Sequence, residues 1–90
     1  MDIKMLDYVV MIAKCESISK AAEKLYLTQS GLNQQLLKLE RNLGIKLFER
    51  DHHHFRITDA GKIYVRNAME ILRIPVSYTH LRAHETDQYL

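Results

Sequence analysis

Residues 27–44, LTQSGLNQQLLKLERNLG, decide how the chain is read. Leu32, Leu36, Leu39 and Leu43 recur at i, i+4, i+7 and i+11, the spacing that lines one face of an α-helix and predicts that all four enter a core. Thr28 offers an N-cap oxygen and Gly44 a residue suited to a left-handed stop, so one helix is expected between them. The other side of this helix is unusual. Gln29, Asn33, Gln34 and Gln35 crowd its first turns, where a solvated helix ordinarily carries Lys and Glu. With the leucines pointing inward, Ser30, Gln34 and Arg41 project roughly opposite, Asn33 and Lys38 flank them, and Gln29 stands in the exposed first turn. Gln35 points sideways toward the core boundary, where packing or positioning is the simpler role.

Working outward, Leu6, Val9, Val10 and Ala13 fall at i, i+3, i+4 and i+7, which predicts a helix from about Ile3 to Cys15. A brief second helix follows, with Ser19 as its expected N-cap and Ala21, Ala22 and Leu25 as its apolar stripe. Its two alanines let a neighbouring helix approach closely. Beyond Gly44 the period changes. Leu47 and Phe48 form a short run, Asp51 to His54 are polar, and Phe55 and Ile57 alternate with Arg56, the pattern of a small hairpin. Thr58 then caps a fourth helix, with Asp59 near its positive end and Ala60, Tyr64, Ala68, Ile71 and Leu72 as its expected stripe.

Composition narrows the possibilities. Ninety residues with 47% hydrophobic content and one proline suit a single small domain near the lower limit for a self-sufficient core, so a partner or dimer is expected. Three glycines do not supply the many turns of a barrel or sandwich. The one cysteine, Cys15, cannot form an internal disulfide, and within a helical apolar pattern it reads as a small hydrophobe. No signal-like or membrane-spanning apolar run is present, which reads as a cytoplasmic protein without membrane attachment. No catalytic triad, glycine-rich phosphate loop or carboxylate pair stands out, so the chain is expected to be no enzyme. The adjacent His52, His53 and His54 invite a metal, but neighbours on a turn diverge and no fourth ligand is evident. They are expected at a hairpin tip, and no metal or other cofactor is expected.

Residues from Pro75 onward, PVSYTHLRAHETDQYL, lose the helical pattern. Val76 to Glu85 resemble the conceptual translation of a transposase-type sequencing adapter. Pro75 as CCT and Tyr89-Leu90 as TAT-CTC fit the flanking adapter bases in frame, with Asp87 and Gln88 as index sequence. Residues 75–90 are therefore expected to be a non-native tail on a truncated reading of a longer protein. Without them the chain has 12 basic and 9 acidic side chains.

Short helix, turn, longer helix and small hairpin is the order of a winged helix-turn-helix, a mainly α fold over residues 1–57, followed here by the start of a further helix over 58–74. In such a motif the N-terminal turns of the second helix reach base edges in the major groove of duplex DNA. A carboxamide carries a donor and an acceptor in one plane and can bond adenine N6 and N7 together, for about 1–3 kcal/mol of discrimination. Gln29, Ser30, Asn33 and Gln34 are therefore candidate base readers. Lys38, Arg41, Lys20, Arg50 and Arg56 suit phosphate contacts, which position without specifying. The amides also fit a solvated helix face, and Leu37 with that face would fit a helical protein-interaction module.

The stretch AAEKLYLTQSGLNQQLLKLERNLGIKLFERDHHHFRITDAG resembles the DNA-binding domain of LysR-type transcriptional regulators. Ala21-Ala22, Thr28-Gln29-Ser30, Leu39-Glu40, Leu47-Phe48-Glu49-Arg50 and Thr58-Asp59-Ala60-Gly61 match in type and spacing, and the similarity runs from about Asp2 to Ile74. The resemblance implies a linker helix from Thr58 through which copies pair as a homodimer or larger oligomer, with Tyr64, Ala68, Ile71 and Leu72 on it. It also implies a C-terminal domain for a small-molecule effector. By position, Thr28 and Lys38 would contact phosphates and Arg50, His53 and Arg56 would serve the wing. The related N-terminal domain of molybdate-responsive regulators is an alternative. Asn33 stands where Ser or Thr is frequent, Gln34 where Arg is frequent, and Leu37 where a basic residue is common. Fewer fixed charges predict weaker nonspecific affinity and a shallower salt slope.

Overall fold

A computed structural model describes residues 3–51 and 54–74. Within them the order is α1 (Ile3–Cys15), α2 (Ile18–Leu25), α3 (Gln29–Leu43), β1 (Phe48–Arg50), β2 (Phe55–Ile57) and α4 (Asp59–Leu72). The two strands pair antiparallel, Phe48 opposite Ile57 and Arg50 opposite Phe55. This is the mainly α winged helix-turn-helix expected from the pattern, with β1 and β2 as the wing.

The elements start and stop for local reasons. Glu16, at φ 53°, ends α1 by donating its N–H to the carbonyl of Ile12 at 2.8 Å. Ser17 is extended and its hydroxyl accepts the N–H of Lys20 at 3.1 Å, so Ser17 caps α2 in place of Ser19, which lies inside the helix and is exposed. The earlier start turns Ile18 toward the core along with Ala21 and Ala22. Thr28 Oγ1 accepts the N–H of Gly31 at 3.0 Å, and Gly44 at φ 74° closes α3, as the sequence predicts.

The core is built where α1 packs on α2 and α4, and α2 packs on α3. Leu6, Val9, Val10, Ile12 and Ala13 supply it from α1, Ala21 and Ala22 from α2, and Leu32 and Leu36 from α3. Full burial of each large side chain is worth about 1.5–3 kcal/mol. Two expected stripes are corrected. Leu43 remains 43% exposed because no element covers the last turn of α3, where Leu43 lines an open groove with Leu39, Met5 and Tyr64. On α4 the buried residues are Gly61, Val65, Ala68 and Met69, so the inward face is turned about one residue from the expected one and Ile71 is 47% exposed. Gly61 sets that rotation. A Cβ there would stand 2.1 Å from the carbonyl oxygen of Leu47 and 2.7 Å from Ile57, so only glycine lets the first turn of α4 lie against the base of the wing.

Candidate nucleic-acid interface

The α2–α3 turn places the start of α3 outside the core. Tyr26 takes a left-handed conformation at φ 59°, and the N–H of Leu27 reaches the carbonyl of Ala22 at 2.9 Å, closing α2 before Thr28 opens α3. Gln29, Ser30 and Gln34 are exposed on the emergent face, and Asn33 is half-buried between that face and the wing. Gln35 is exposed rather than at a packed boundary and borders the groove that Leu43 and Tyr64 line. Farther along α3, Leu37, Lys38 and Arg41 share a shallow surface with Gln34. Lys20, Thr28, Arg50 and Arg56 are also exposed.

The wing is fixed to α3 from two sides. Glu40, only 8% exposed, turns its carboxylate onto the strand entry, where Oε2 accepts the N–H of Leu47 at 2.7 Å and that of Phe48 at 3.2 Å. Nearer the N-terminus of α3, Arg50 Nη1 donates to Asn33 Oδ1. The same guanidinium lies over the Phe55 ring, 5.9 Å from its centroid, and Phe55 in turn stacks on the buried Phe48 with centroids 5.0 Å apart. Between the α1–α2 turn, the start of α3 and the wing there is an open cleft of about 640 Å³, lined by Gln29, Ser30, Asn33 and Arg50 among others.

The sequence-predicted residues therefore fall into groups. Gln29, Ser30, Asn33 and Arg50 share the cleft; Gln34, Lys38 and Arg41 lie along the outer stripe of α3; and Arg56 lies on β2 opposite Glu49. At the wing turn the N–H of His54 donates to Asp51 Oδ1 at 2.6 Å, while His53 lies outside the described residues, as does the tail of residues 75–90. On α4, Tyr64 and Leu72 are half-buried and Ile71 is exposed, whereas Ala68 is fully buried within the chain and belongs to its core rather than to a face open to a second copy. Burial raises the pKa of the Tyr64 phenol. The tie from Asn33 to Arg50 and the role of Glu40 had no signal in the helical period, because both partners lie across the fold.

A family profile described as bacterial regulatory helix-turn-helix protein, lysR family, matches residues 3–62. The chain is similar to the uncharacterized HTH-type transcriptional regulator YcgK of Bacillus subtilis (strain 168), with 42% identity over 73 residues, 81% of this chain. It spans 22% of that relative's length and 32% of that of the HTH-type transcriptional regulator TfdT of Cupriavidus pinatubonensis (strain JMP 134 / LMG 1197), to which it is 35% identical over 82% of this chain. Among solved structures it is similar to the BenM DNA-binding domain in complex with catB site 1 DNA, at TM-score 0.77 and 34% identity over 81% of this chain and 82% of that one.

Proposed function

Since the chain belongs to the LysR family of bacterial regulatory helix-turn-helix proteins, we propose that it is the part of a transcription regulator that reads duplex DNA, with α3 in the major groove and the wing against the adjoining backbone. The observation that carries this reading is the position of the α3 N-terminal face: Gln29, Ser30 and Gln34 stand in solvent beside the wing that bears Arg50 and Arg56, on a fold matching a domain solved on DNA. Gln29, Ser30, Asn33 and Gln34 face the bases. Lys20, Thr28, Lys38, Arg41, Arg50 and Arg56 face phosphates, and His53 joins them at the wing tip. The protein acts by binding, without a reaction or metal of its own, in the cytoplasm where the DNA is. Two copies on a pseudo-palindromic site would pair through α4, using Ile71 and the edges of Tyr64 and Leu72, and a small-molecule effector would act on the longer protein outside this chain.

The test is binding to a pool of duplexes across a salt series. Gln29→Ala is expected to relax base preference at one position for a cost of about 1–3 kcal/mol, whereas Lys38→Ala weakens all sequences alike and lowers the salt slope by about one. Uniform losses in both variants would remove the base-reading assignment. Affinity indifferent to salt would remove the DNA reading altogether.

A further inference from the structure

Asn33 and Arg50 are each suited to DNA by residue type, yet in this fold they are bonded to each other. An arginine side chain has donors only, so the atom of Asn33 that meets it must be the carboxamide oxygen, and this fixes which way the amide is turned. Arg50 has a second partner on the wing. Its guanidinium rests on Phe55, Phe55 rests on Phe48, and the N–H of Phe48 is held by the buried Glu40 carboxylate. The carboxamide oxygen of Asn33 therefore faces a cation that also lies over the wing's stacked aromatic pair, and the part of the amide left for a ligand in the cleft is its NH₂ group.

That orientation alters what Asn33 can read. The adenine contact needs the amide oxygen to accept from N6 while the NH₂ donates to N7. With the oxygen turned to Arg50, its remaining lone pair lies beside a positive charge that repels the amino hydrogens of adenine or cytosine. An NH₂ group alone matches guanine O6 and N7 or thymine O4, whereas at adenine it meets only N7, beside an N6 amino group whose hydrogens it cannot accept. Resting on the DNA reading above, we propose that Arg50 is a specificity-determining residue acting through Asn33: by holding the carboxamide oxygen to the wing, it makes Asn33 a reader of guanine or thymine instead of adenine.

Selection of preferred sites from a randomised duplex pool, performed with the 90-residue chain at low salt, tests this. The position read by Asn33 is the one whose preference Asn33→Ala erases; that substitution raises helix propensity, and an unchanged helical circular dichroism spectrum establishes that the variant is folded. Guanine or thymine there is the expected result. Arg50→Met keeps an aliphatic stem on Phe55 but frees the amide oxygen, and should move that position toward adenine by about fivefold or more. Arg50→Lys retains a donor and should keep the keto preference. Adenine or cytosine at the Asn33 position in the unaltered chain overturns the proposal, as does the absence of any position that responds to Asn33→Ala. So does an Arg50→Met variant that is weaker on every sequence with its preference unchanged, since Arg50 would then be a phosphate contact alone. If the unaltered chain enriches no sequence, the DNA reading itself fails and takes this inference with it.

Discussion

Tyr26 shows what a single backbone conformation costs when the side chain returns nothing. Its φ of 59° lies in the left-handed region, which disfavours a residue with a Cβ by about 1–2 kcal/mol, and its ring is 94% exposed. Gly44 meets the same requirement at the end of α3 without that penalty. Tyr26→Gly should therefore raise stability by about 0.5–1 kcal/mol after the added freedom of the unfolded chain is subtracted. The check is a higher urea midpoint with an unchanged slope, and an equal or lower midpoint contradicts it. Ser17 and Ser19 illustrate how single residues escape a sequence reading. Both can cap a helix, and the choice between them falls to whichever start buries Ile18, a tertiary preference that two neighbouring serines do not display.

At the scale of elements, the period of the apolar residues was legible wherever a partner element covers them. Leu32 and Leu36 follow it to full burial, while Leu43 keeps the same phase and stays exposed because α3 outruns its neighbours. The buried face of α4 lies one residue from the phase its apolar period predicts, because Gly61 packs against Leu47, a contact across 14 residues that no local period encodes. Glu40 was the least legible. In a helix it reads as a polar residue, and its partners are the N–H groups of a loop seven and eight residues later. Glu40→Ala should leave those two buried donors unsatisfied and cost about 2–4 kcal/mol, whereas Glu40→Gln keeps an accepting oxygen and should cost about 1 kcal/mol. Thermal unfolding gives the totals. Hydrogen exchange at Leu47 and Phe48 should accelerate in the alanine variant before the rest of α3 is affected, and protection retained there would contradict this role for the carboxylate.

For the molecule as a whole, the half-buried Tyr64 ties stability to alkaline pH. Its folded pKa is raised by burial above the ordinary 10.0, so the unfolded chain loses this proton first and stability falls as pH rises through about 10 and beyond. Tyr64→Phe should flatten that decline above about pH 10, read as urea midpoints; parallel curves for the two proteins would exclude it. Reading residues 75–90 as adapter-derived predicts that the genomic locus departs from this frame after Ile74, and one uninterrupted frame through Leu90 would end that reading. The joint at Leu47 has a mechanical consequence. Its N–H is held by Glu40 on α3, its carbonyl accepts the N–H of Thr58 at 2.9 Å, and Gly61 of α4 lies against the same oxygen. One residue therefore couples two shafts with little slack between them. A twist applied to α4 would therefore load α3 through the backbone of this one residue, without first having to bend the wing.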